Sequence, residues 1–64
     1  MNNQENVLPK LYTIQEAADR LSISRSHIYR EIAAGNLQAL KAGKAVRFTE
    51  TELIRWVNSL KARS

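Results

Sequence analysis

The chain has 64 residues, a net charge of +4 and no cysteine. That length allows one domain with a small core, and the absence of cysteine excludes disulfides and thiolate metal sites; one histidine cannot form a zinc site alone. No apolar run approaches the ~20 residues that span a bilayer, and the polar start, Met1-Asn2-Asn3-Gln4-Glu5, is not a secretory signal.

Residues 1–10 lack periodicity, are rich in Asn and Gln and contain Pro9, so a flexible tail is expected, with the domain beginning at Leu11. Thr13 and Glu16 have the spacing of a capping box, and Ile14, Ala17, Ala18 and Leu21 recur at helical spacing. A first helix is therefore expected over Ile14–Leu21. Its alanines allow another helix to approach closely. Ser22-Ile23-Ser24 is a connector of about three residues, the length found between the helices of a helix-turn-helix. Many such turns contain glycine; this one has serine.

The second helix is expected to start at Ser24 as N-cap, with Ile23 and Ile28 at the two positions of a hydrophobic staple, and to stop at Gly35. Ile28 and Ile32 mark its core side. Arg25, Ser26, Tyr29 and Arg30 lie on the open side, and a helical wheel brings Ser26, Arg30 and Ala33 together as a ridge opposite the isoleucines. A stiff helix with cationic and hydrogen-bonding side chains on its open face fits a DNA major groove, where arginine can fork to guanine and serine can reach a base edge or a phosphate. Arg25 and Tyr29 flank the ridge, nearer to phosphates. His27 sits on the flank of the polar face, where it is a candidate contact; no nucleophile or acid constellation accompanies it, and no enzymatic activity is expected.

Beyond Gly35-Asn36 the period changes. Leu37-Gln38-Ala39-Leu40-Lys41 and Ala45-Val46-Arg47-Phe48 read as strands of a hairpin about Ala42-Gly43-Lys44. Lys41 and Lys44 fall at or near its tip and Arg47 on the return strand, placed to contact a DNA backbone or adjacent minor groove; lysines also discourage edge-to-edge association. Thr49 and Glu52 repeat the capping-box spacing, and Leu53, Ile54, Trp56, Val57 and Leu60 form the apolar face of a third helix, with Trp56 a core residue. Residues 61–64 are expected to fray. The positive charge concentrates in the middle: within residues 25–47, Arg25, Arg30, Lys41, Lys44 and Arg47 stand against Glu31 alone. Such concentration suggests a polyanionic partner. The sequence carries no phosphate loop, dinucleotide fingerprint or metal-ligand cluster, so no cofactor and no small-molecule ligand are expected.

In their order and spacing these residues resemble the excisionase-type DNA-binding domain of the MerR-like superfamily. Tyr12-Thr13-Ile14-Gln15-Glu16-Ala17-Ala18 is similar to that family's opening. Leu21-Ser22-Ile23-Ser24-Arg25-Ser26-His27-Ile28-Tyr29 is similar to its turn and second helix. Gly35-Asn36-Leu37, Gly43-Lys44 and Arg47-Phe48 resemble its hairpin marks, and Glu52-Leu53-Ile54-Arg55-Trp56-Val57 its closing helix. The resemblance covers residues 11–60. It implies a mainly α, winged helix-turn-helix fold in the order α-α-β-β-α, with the second helix in the major groove and the hairpin as wing. By position it carries contact roles onto Arg25, Ser26, Arg30, Lys44 and Arg47. Together with the reading above, the candidate DNA-binding set is Ser24, Arg25, Ser26, His27, Tyr29, Arg30, Lys41, Lys44 and Arg47.

The chain departs from the family pattern at His27, where threonine is usual, at Ala42, where valine is common, and at Ala45, where a second basic residue is frequent; the last implies a less basic wing. No long dimerisation helix is expected after the third helix. The implied function is sequence-specific binding of double-stranded DNA, as an architectural factor steering a site-specific recombinase (integrase) toward excision, with several copies on tandem sites. A small prophage-type transcriptional regulator shares the same contacts. A protein-interaction module using the third helix is the rival of another class. A cytoplasmic, nucleoid-associated location follows from the DNA reading.

Overall fold

A computed structural model describes residues 10–63. The chain enters through a short strand, β1 (Leu11–Tyr12), and turns at once into α1 (Ile14–Leu21). Thr13 makes the turn. Its backbone is extended, its Oγ1 accepts the Glu16 N–H at 3.0 Å, and its own N–H donates to Glu16 Oε1 at 2.9 Å, so both halves of the capping box are built.

The serine turn carries the conformation that glycine usually supplies. Ser22 is left-handed at φ +58°, its N–H donates to Asp19 O at 3.3 Å, and the Ile23 N–H reaches back to Ala18 O at 3.0 Å. The same pair of bonds closes the next helix, α2 (Arg25–Ala33), where Gly35 at φ +81° donates to Ile32 O and Asn36 to Glu31 O. Both helices thus end in one motif, in which a left-handed residue lets two successive N–H groups satisfy carbonyls that a helix end leaves open. At the other end of α2, Ser24 Oγ accepts the His27 N–H at 3.0 Å, as the N-cap reading requires.

β2 (Leu40–Ala42) and β3 (Ala45–Thr49) form the hairpin, and α3 (Glu50–Arg63) follows β3 without a linker. Ala42 pairs with Ala45, leaving a two-residue turn of Gly43 and Lys44 with Gly43 at φ +65°. A glycine at the first central position is the signature of a tight hairpin turn whose twist matches the strands. The sheet has the order β1-β3-β2 and is antiparallel throughout, with Tyr12 opposite Phe48 and Leu40 opposite Arg47.

Three expectations are corrected here. β1 converts the expected two-stranded hairpin into a three-stranded sheet. The first hairpin strand begins at Leu40 rather than Leu37, because Leu37 is drawn into the core. The second capping box is built by half: Thr49 Oγ1 accepts the Glu52 N–H at 3.1 Å, but the Glu52 carboxylate turns to Gln38 and Arg55 instead of the Thr49 N–H.

The core draws on every element except β2. Tyr12, Ala17, Ala18, Ile28, Leu37, Phe48, Leu53 and Trp56 are buried, with Phe48, Ile28 and Leu37 fully so. Ile23 packs against this cluster from the partly buried rim, so both residues of the expected staple contribute apolar contact. Ile54 and Leu60 remain exposed, so the apolar face of α3 is narrower than its sequence suggests. α3 continues through Arg63. The expected N-terminal tail and Ser64 lie outside the described residues, apart from Lys10.

Candidate nucleic-acid interface

Burial divides α2 cleanly. Ile28 is buried, and Glu31 and Ile32 are half-buried, whereas Arg25, Ser26, Tyr29, Arg30 and Ala33 are exposed. The ridge read from the wheel, Ser26-Arg30-Ala33, therefore faces solvent. Ser24 is exposed too, but its hydroxyl oxygen already holds the end of the helix through His27 N–H.

His27 behaves differently from its neighbours. Its ring is half-buried and meets the Trp56 ring edge-on at 6.1 Å and 81°. Trp56 in turn donates its Nε1–H to Glu31 Oε1 at 2.8 Å. This bond from Trp56 holds the Glu31 carboxyl below the usual glutamate range, helped by the Asn36 side chain and the charges of Arg63 and His27. Glu31 and His27, one turn apart on α2, are thereby both turned toward α3.

The cations sort into two groups. Lys10 and Arg20 lie over the Tyr12 ring at 5.5 and 5.3 Å, and Arg20 also donates to the Tyr12 hydroxyl at 3.0 Å. Arg47 folds back onto its own strand, donating to Val46 O at 2.8 Å. Arg55 pairs with Glu52, and Arg63 stands 3.9 Å from Glu31. Among the described residues, Arg25, Arg30, Lys41, Lys44 and Lys61 make no intramolecular ion pair or hydrogen bond through their side chains. Four of these five are on α2 or the hairpin.

The hairpin cations do not share one face. Side chains alternate along a strand, so Lys41, opposite Val46, lies on the face that carries Phe48, and Arg47, opposite Leu40, lies on the other. Lys44 is in the turn itself. The structure thus brings forward Lys41 and Lys44 as free cations at the wing end and leaves Arg47 half-buried behind them. Two contributors escaped the sequence reading: the Glu31–Trp56 bond, and a Glu52–Arg55 pair bonded to the loop before β2. The i,i+3 spacing of Glu52 and Arg55 signalled the pair, but nothing local signalled the loop.

A model of the helix-turn-helix domain family matches residues 11–61. The chain belongs to that family. The match spans every element from β1 into the last turn of α3, and it is of the excisionase-like kind that the motifs resemble. DNA binding follows for this helix-turn-helix domain, and the exposed polar face of α2 is the surface chemically suited to it. No curated protein and no solved structure matches the chain. Among the described residues no cluster of His, Cys, Asp and Glu could hold a metal ion, and no helix is long and apolar enough to cross a membrane.

Proposed function

We propose that this protein is a small, sequence-specific architectural DNA-binding factor of the excisionase kind, which inserts α2 into a major groove and rests its hairpin on the flanking backbone. One observation carries the reading: of the five cations without internal partners, four lie on α2 and at the wing end and only Lys61 lies on α3, while Lys10, Arg20, Arg47, Arg55 and Arg63 are held by rings, carboxylates and carbonyls. Ser26 and Arg30 are the base-reading candidates, Arg25, Tyr29, Lys41 and Lys44 the phosphate contacts. Arg47 and Ser24, already bonded internally, have supporting parts, and His27 orients the helix against Trp56. Self-association on tandem sites and an integrase partner complete the excisionase reading.

A titration of duplex DNA tests it. With three cationic phosphate contacts, Arg25, Lys41 and Lys44, log K falls against log salt with a slope of about −3. A flat salt response, or no duplex binding at low salt, overturns the DNA interface. A bending assay on a selected site, with excision scored in the presence of a site-specific recombinase, separates the architectural role from transcriptional regulation. The rival use of α3 as an interaction face is weakened by the burial of Leu53 and Trp56 in the protein's own core.

A further inference from the structure

We infer that Glu52 and Arg55 are positioning residues for the wing: together they grip the backbone of the loop between α2 and β2 at two points and so set how the hairpin leaves the domain toward DNA. This rests on the proposed role of the hairpin as a DNA contact. The Arg55 guanidinium forks onto Glu52, with Nε donating to Oε1 at 2.8 Å and Nη2 to Oε2 at 2.5 Å. Neither partner stops there. Arg55 Nη2 also donates to Asn36 O at 2.8 Å, and Glu52 Oε2 also accepts the Gln38 N–H at 2.8 Å. A simple surface pair on one helix would leave those hydrogen-bonding positions to water.

The loop is held from both sides. Gly35, Asn36 and Leu37 donate their N–H groups back to α2, at Ile32 O and Glu31 O, and the Leu37 side chain is buried. Asn36 O and the Gln38 N–H then bond forward to α3. Only Ala39 separates Gln38 from Leu40, where β2 begins. The other leg of the hairpin, β3, runs directly into α3 at Glu50, and Thr49 Oγ1 accepts the Glu52 N–H. Both legs are therefore anchored at the start of α3, one through the chain itself and one through Glu52 and Arg55. Because Gly35 and Asn36 also close α2, the clamp links the recognition helix to the wing and fixes the spacing between their contacts.

The test is a double-mutant cycle on duplex binding between Lys44→Ala and the charge swap Glu52→Arg/Arg55→Glu. The swap keeps net charge and an ion pair, but it puts a donor where Gln38 needs an acceptor and an acceptor where Asn36 O needs a donor. In the wild-type background Lys44→Ala should weaken binding by about fivefold. In the swapped background the same substitution should change binding by less than about 1.5-fold, because the wing no longer sits on the backbone. Equal effects in the two backgrounds overturn the inference while leaving DNA binding intact. Absence of duplex binding by the unmutated protein overturns it together with the DNA reading, a distinct result.

Amide hydrogen exchange on the free protein gives a readout that needs neither DNA nor the swap to fold. The Gln38 amide should be protected in the wild type and should lose that protection in Arg55→Gln and Glu52→Ala, while the Ile28 and Phe48 amides stay slow. A Gln38 amide that exchanges freely in the wild type overturns the clamp.

Discussion

On the proposed reading, Arg30 is a base-reading candidate of α2. It is exposed, has no internal partner and lies on the ridge with Ser26, so its guanidinium is free to fork onto a guanine edge. Arg30→Ala should cost about 1–3 kcal/mol on the cognate site and much less on random duplex. An equal loss on both, read by fluorescence anisotropy, would make Arg30 a phosphate contact. Ser22 and Gly35 make a second residue-scale pair, since they occupy equivalent positions in the two helix-ending turns with φ of +58° and +81°. A left-handed backbone costs a non-glycine residue about 1–2 kcal/mol, partly offset by the greater chain entropy of glycine. Ser22→Gly should therefore stabilise the fold by up to about 1 kcal/mol. Gly35→Ala should destabilise it by about 1 kcal/mol through the backbone alone, because nothing lies within 4 Å of an added Cβ. Urea midpoints check both signs.

At the scale of elements, α2 is held on α3 by a polar bond as well as by apolar contact. Trp56→Phe keeps most of the buried ring but deletes the Nε1–H that meets Glu31, leaving a carboxylate without its main donor. The variant should therefore have a lower urea midpoint, and Glu31→Gln, which keeps an acceptor, should lower it less. A Trp56→Phe protein with unchanged stability would show that apolar packing alone seats α2 on α3. The elements themselves were legible to different degrees. Both helices of the helix-turn-helix were visible because their N-caps and apolar periodicity, and the Gly35 stop of α2, are written in contiguous residues. The start of β2 was misread because Leu37 looks like a strand residue and is instead a core anchor, a choice made by tertiary packing. β1 was invisible: two residues carry no period, and Leu11 and Tyr12 become a strand only by pairing with Thr49 and Phe48. At the site, residue type and the helical wheel identified the open face of α2. They could not show Arg47 bonded to Val46 O, His27 set against Trp56, or the Glu52 carboxylate drawn from its capping position, since each depends on a partner distant in sequence or on a side-chain direction.

For the whole molecule, the charges that hold the fold and those that face outward answer to different conditions. Glu16, Glu31 and Glu52 are all held below the ordinary glutamate value of 4.5, by the Thr13 backbone N–H, the Trp56 indole and the Arg55 guanidinium respectively. Each has a lower value in the folded chain than in the unfolded one, so the native state binds fewer protons and stability rises with pH across that range. The contribution is complete above the ordinary glutamate value and disappears as pH falls through the depressed folded values. These three carboxylates join β1 to α1, α2 to α3 and the wing loop to α3, so acid should loosen several junctions over one range. Urea midpoints followed by Trp56 fluorescence should stay level from about pH 7 to pH 5 and then decline steadily below it. The combined variant Glu16→Gln/Glu31→Gln/Glu52→Gln should start lower and decline less. A triple variant with the same acid decline as the wild type would place the acid sensitivity elsewhere and remove the carboxylates from their role as ties. A loss of DNA affinity in acid should therefore track the loss of fold, whereas added salt near neutral pH should lower affinity with the fold intact.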